Sequence, residues 1–244
     1  EHAVKSRKDA QMLLDIVKFR IGKDIRRHIL ILNAFIGDDR RREVPAQIHT
    51  GKKVSNIVLM GTGEPFDNYE NVLRFLTLVS HKDGLNIGMR HISLSTCGKV
   101  DGIYRLMEEK LQLTLSVSLH APNDKIRTRI MPVNKKWGVD ELLKACRDYI
   151  SVTGRRISFE YAMIKDVNDT DACALELADK LHGMICHVNL IPANEVREND
   201  YVRSDAGRLA RFKSILEHKG INTTVRRTLG ADISASCGQL RQKY

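Results

Sequence analysis

The chain of 244 residues has no cysteine before Cys97, and its closest pair, Cys173 and Cys186, stands 13 residues apart. The other two are Cys146 and Cys237. This spacing excludes a C-x-x-C or similar short metal pair, so the residues themselves offer no metal site. An odd count speaks for free thiols and against a disulfide framework. Aromatic residues are 5% of the chain, too few for a stacking platform for single-stranded bases. No stretch approaches the ~18 apolar residues of a membrane span, so no membrane partner is expected. No charged-then-apolar leader marks secretion, which leaves the cytoplasm as the default compartment. A GxGxxG turn, an internal repeat and a low-complexity segment are also missing.

What is abundant is positive charge. Forty Lys and Arg against thirty Asp and Glu give a formal charge of +10. The basic residues come in groups, among them Arg40, Arg41 and Arg42, Arg155 and Arg156, and Arg226 and Arg227. Such a surplus favours polyanions through counterion release, and a solvated basic surface is the plainer reading. At 42% the hydrophobic fraction suffices for a sizeable core.

Residues 1–43 differ in texture from the rest. Charges interrupt short apolar runs at Met12–Val17 and Ile29–Leu32, both readable as helices, and no chemical motif stands there. Residues 44–244 form a second region with a regular rhythm. Apolar β-rich runs fall at 54–60, 91–95, 113–119, 157–164, 185–191 and 222–225. Between them helical patterns cover about 69–81, 100–110, 140–152, 169–182 and 204–218. Apolar strands alternating with helices predict an α/β fold with a parallel sheet, a partial (β/α) TIM-like barrel fitting better than a Rossmann sheet.

In such folds chemistry gathers at the C-terminal ends of strands, and the informative residues stand there. Gly61-Thr62-Gly63-Glu64-Pro65 follows the first run: a plain tight turn, or a carboxylate placed to accept from an ammonium group. Ser95-Thr96-Cys97-Gly98 follows the second, either helix-capping hydroxyls or ligand contacts. In the third, period-two alternation puts Ser116, Ser118 and His120 on one face, around a bound polar ligand or a satisfied core histidine. Glu160, in a buried strand, requires a partner. Asn189 and Asn194 flank another strand end. Cys237 lies in a loop of small residues that leaves room for a substrate, though a lone cysteine is commonly inert and buried.

At these residues the chain closely resembles the RlmN/Cfr family of radical-SAM enzymes, which methylate adenosine in RNA. The segments GTGEPFDNYENV, HISLSTCG, SVSLHAPND, GRRISFEY, HVNLIPAN and VRRTLGADISASCGQL appear in family order. The detailed flavour is that of RlmN, which acts at adenine C2 in 23S rRNA and in tRNA; Cfr-like C8 chemistry stays open. The resemblance implies a radical-SAM barrel over 44–244. It implies S-adenosylmethionine (SAM) as cofactor, with Gly63 and Glu64 at its amino end and Ser95, Ser118, Leu119, His120 and Asn194 at further contacts. Cys237 matches the catalytic cysteine that is first methylated and then carries the one-carbon unit to the adenine. RNA is the implied partner and a monomer the implied state.

One part of the family pattern is missing. Members hold a [4Fe-4S] cluster through C-x-x-x-C-x-x-C about 40 residues before the GEP turn, where this chain reads Lys18-Phe19-Arg20-Ile21-Gly22-Lys23-Asp24. Neither those ligands nor the resolving cysteine is present, and charged or apolar side chains do not replace thiolates. The alternative expectation is therefore a catalytically incomplete SAM- or RNA-binding paralogue or fragment.

Overall fold

The computed structural model describes residues 18–21, 29–33, 55–60, 63–83, 86–193 and 201–226. The chain divides into two compact units, one from residues 1–95, 112–114 and 240–244, the other from 96–111 and 115–239. The 43/44 boundary expected from the sequence lies outside the described residues.

Among the described residues the first unit carries four strands. β1 (Lys18–Ile21) runs antiparallel to β2 (Ile29–Asn33), while β2, β3 (Asn56–Leu59) and β4 (Ile92–Thr96) follow in parallel. The Ile29–Leu32 run, expected as a helix, is thus a strand. Four apolar residues are too few for a stable helix but match a strand, and β3 satisfies their backbone groups. The other run, Met12–Val17, lies outside the described residues. β3 buries alternate residues, Ile57 and Leu59, as a half-covered strand must. Helix α1 (Tyr69–Ser80) buries Tyr69, Val72, Phe75, Leu76 and Val79, a stripe at helical spacing.

The second unit holds β5 (Thr114–Ser118), β6 (Ile157–Met163), β7 (Cys186–Pro192) and β8 (Thr223–Val225), all parallel. Their register sorts side chains cleanly by face. Val117, Phe159 and Val188 lie level with one another, as do Tyr161 and Leu190, and all five are fully buried. The Tyr161 ring packs on Phe212 of the helix Ala206–His218, with centroids 5.2 Å apart, so this is the helix-covered face. The opposite face is polar. Ser116, Ser158 and His187 form one level and Ser118, Glu160, Asn189 and Thr224 the next.

The helices of this unit are α2 (Val100–Glu108), α3 (Asp124–Ile130), α4 (Val139–Thr153), α5 (Asp171–Leu181) and α6 (Ala206–His218). Side chains cap three of them. Asn123 accepts from the N–H of Ile126, Thr170 from Cys173 and Asp205 from Arg208, each satisfying a donor that the first turn leaves open. The seven-residue α3 had no counterpart in the sequence pattern. No helix among the described residues is long and apolar enough to cross a membrane.

Candidate active site at the strand ends

In the second unit the chain leaves β5 through Ser118-Leu119-His120. The N–H groups of Leu119 and His120 both donate to the carbonyl of Glu160, at 3.1 and 3.3 Å. His120 adopts φ +59°, so the strand's alternation stops at Ser118. The expected Ser116–Ser118–His120 face therefore ends one position early. The imidazole reaches across to β6, where its Nδ1 accepts from the N–H of Ala162 at 2.9 Å. An accepting Nδ1 leaves the proton of a neutral ring on Nε2. Burial, aided by the positive charge of Arg127, pushes the His120 pKa down to about 4, so the ring is neutral at physiological pH. Its carbonyl accepts from Asn168 Nδ2 at 2.7 Å, and the fully buried Asn168 also bonds Ala162 O and Ile164 N. The turn is a fixed platform presenting a neutral donor.

Beside it runs the polar face. Glu160 has the partners that its burial requires: Oε2 accepts from Asn189 Nδ2 at 2.8 Å and Oε1 from Ser158 Oγ at 3.3 Å. Burial raises its pKa, while these donors and the charge of Arg226 act against the rise. Thr224 Oγ1 lies 2.9 Å from His187 Nε2 and 3.2 Å from Asn189 Oδ1. Sequence reasoning missed Ser158, His187 and Thr224. The first two could have been found from the period-two spacing that links them to Glu160 and Asn189.

The other expected residues distribute as follows. In the first unit, Glu64 Oε1 caps the 3-10 turn Pro65–Asn68 by accepting from Phe66 N at 3.2 Å, and Gly63 is exposed beside it. Ser95 is half-buried next to the end of β4. The helix-cap reading of that cluster is not met: Lys99 stands at the N-cap of the helix Val100–Glu108 with no side-chain cap, and the buried Thr96 hydroxyl accepts from Gly98 N and Lys99 N in the turn before it. Asn194 and Cys237 lie outside the described residues.

Among the described residues no group of three or more His, Cys, Asp or Glu is arranged to hold a metal ion. Cys146 and Cys173 are buried within helices, and burial pushes the Cys146 thiol far above its ordinary range. Cys186, in β7, is pushed up to about 11 by burial. These thiols are scattered over separate elements, whereas a cluster needs converging thiolates. A [4Fe-4S] cluster does not fit these residues.

A family model described as the Radical SAM superfamily matches residues 37–178. The chain belongs to the radical SAM superfamily. Its sequence is 54% identical over 199 residues to a probable dual-specificity RNA methyltransferase RlmN of Clostridium tetani, covering 82% of this chain and 57% of that protein. A protein of the same name from Thermoanaerobacter sp. strain X514 is 55% identical over 192 residues, covering 79% and 56%. The chain thus spans somewhat more than half the length of these relatives. Among solved structures, a radical SAM methyltransferase from Sphaerobacter thermophilus matches with TM-score 0.76 and 48% identity, over 79% of this chain and 56% of that one. The expected α/β fold of the radical-SAM type is borne out by this likeness.

Proposed function

We propose that this chain is the SAM-binding and methyl-carrying part of an RNA methyltransferase acting on C2 of adenosine in 23S rRNA and tRNA. The observation that supports the reading is the 54% identity over 199 residues to a relative named a probable dual-specificity RNA methyltransferase RlmN. The residue roles follow the family motifs: Gly63, Glu64, Ser95, Ser118, Leu119, His120 and Asn194 hold SAM, and Cys237 carries the methyl group. The rigid turn at Ser118–His120 supports that assignment, because a bound cofactor needs a preorganised contact surface. The formal charge of +10 supports a polyanionic substrate. Cytoplasmic location and a monomeric state belong to the same proposal.

Calorimetric titration of the whole chain with SAM tests the binding half. Saturable heat is the expected result, and its absence overturns the reading. Incubation with SAM and a 23S rRNA fragment, followed by nucleoside mass spectrometry, tests the transfer half. The missing cysteine ligands favour a second reading, a SAM- or RNA-binding protein without turnover. Binding of either ligand with no methylated adenosine would select it.

A further inference from the structure

Arg127 projects from α3 into the interior and is fully buried. Its Nε donates to Leu119 O at 3.0 Å, Nη1 to Asn134 Oδ1 at 2.9 Å, and Nη2 to Cys97 O at 2.8 Å and Ser118 O at 3.0 Å. Three of the four acceptors are main-chain carbonyls. Two belong to the Ser118–His120 turn, and the third follows β4. The nearest carboxylate stands one residue removed, since Asn134 Nδ2 donates to Asp124 Oδ1 at 2.9 Å. Asp124 is itself engaged by the N–H of Val139 at 2.7 Å. Burying a guanidinium on neutral acceptors is costly, as the downward shift of its pKa by desolvation reflects. An apolar residue would fill the space at lower cost, so what the arginine contributes is the geometry of its planar fork.

The turn makes that contribution specific. Ser118 C=O goes to Arg127 while Leu119 N–H goes to Glu160 O. Leu119 C=O goes to Arg127 while His120 N–H goes to the same Glu160 O, and His120 C=O goes to Asn168. Each of these two successive peptide planes is therefore gripped on both edges, by the guanidinium on one side and by β6 on the other. Neither plane can rotate without breaking two hydrogen bonds. We propose that Arg127 is a positioning residue for SAM, fixing the Ser118-Leu119-His120 turn in its ligand-ready conformation without touching the ligand. This proposal rests on the assignment of that turn to SAM.

Arg127→Lys tests it, because a lysine offers a single-point ammonium that cannot span three carbonyls in one plane. Two quantities are read in the whole chain: SAM affinity by calorimetry, and the ring-nitrogen NMR signals of His120 without SAM. The expected result is a loss of SAM affinity of about tenfold or more, with His120 signals moved away from the pure Nε2–H tautomer. Unchanged affinity and unchanged ring signals, with only a lower melting temperature, would reduce Arg127 to a structural residue and overturn the proposal. A wild-type measurement covers the case in which the variant does not fold: the Arg127 Nε–H resonance should shift on SAM addition, and an unmoved resonance overturns the proposal equally. If the wild-type chain binds no SAM, the functional reading fails, while the His120 signals of the variant still decide whether Arg127 sets the turn.

Discussion

Replacing Gly98 by alanine gives the sharpest test of how tightly the strand ends are built. Gly98 follows β4 with φ +102°, a conformation that L side chains rarely adopt. A Cβ there would stand 2.8 Å from Arg127 Nη2 and 3.0 Å from Leu142 Cδ2. A contact below 3 Å is tolerable only if the neighbour moves easily, and here it does not. Nη2 is held by Cys97 O at 2.8 Å and Ser118 O at 3.0 Å, and Leu142 is fully buried in α4. Two costs therefore add. Backbone strain at positive φ is on the order of 1–3 kcal/mol, and overpacking a closed interior about 1–3 kcal/mol more. Their sum is roughly 2–6 kcal/mol, which for a chain of this size lowers the melting temperature by about 5–20 °C.

Gly154 supplies the control. It ends α4 at φ +65°, and nothing lies within 4 Å of where its Cβ would be. Gly154→Ala therefore carries strain alone, about 1 kcal/mol. Thermal unfolding followed by circular dichroism, with both variants in one buffer, separates the packing cost from the strain. A Gly98→Ala protein that melts no lower than Gly154→Ala would refute the claim that the Arg127 guanidinium is immovable.

Three further outcomes are expected. His120 has a folded pKa of about 4 against an ordinary 6.5, so as pH falls through that window the unfolded chain gains a proton that the folded chain refuses. Its contribution is a stability loss of up to roughly 3 kcal/mol between pH ~6.5 and ~4, and His120→Asn should flatten that part of the profile in urea melts at stepped pH. Glu160, whose pKa is raised, acts in the opposite sense, favouring the folded state at acid pH and losing that contribution as pH rises; parallel profiles for wild type and His120→Asn would show that His120 is not the group responsible. Removing a helix cap by Asp205→Ala should cost about 1 kcal/mol and lower the melting temperature by ~2–4 °C, and an unshifted melt would mean the 2.8 Å bond to Arg208 N carries nothing. Under the proposed function, Glu64→Ala should weaken SAM binding about tenfold or more by calorimetry, whereas Cys237→Ala should leave SAM binding nearly intact and, in the completed enzyme, abolish methylation; loss of SAM binding on Cys237→Ala would make Cys237 structural.

The parts of the fold legible in the sequence were those in which side-chain pattern and backbone role coincide. Runs such as Ile157–Met163 and helices such as Val139–Thr153 announce themselves by periodicity. Ile29–Asn33 did not, because a continuous run of four apolar residues shows no period, and its shortness and its pairing with β3 make it a strand. Arg127 was illegible for a different reason. A basic residue in a short charged segment reads as surface, and three of its four acceptors are backbone carbonyls that no pattern of side chains discloses. For His120 the sequence left a core histidine and a ligand contact open. The structure satisfies the ring at Nδ1, which leaves the proton of the neutral ring on Nε2.

The two chemical halves of Glu160 serve different ends. Its backbone carbonyl receives both N–H groups of the Ser118–His120 turn, a role that any residue at that register could fill. Its carboxylate holds Asn189 and Ser158 on the polar face, a role that requires an acceptor there. The two roles are locked together by parity: a one-residue slip of β6 would move every side chain to the opposite face. The carboxylate would then turn toward the helices that cover Tyr161, while the ring of Tyr161 would enter the row of Ser118, Asn189 and Thr224. A buried acid among apolar side chains is disfavoured by several kcal/mol, of order 2–7 for an unpaired polar group. The residue that most needs a partner on β7 thereby fixes the register that delivers its own carbonyl to the turn, so the polar face and the rigidity of the strand end have one cause.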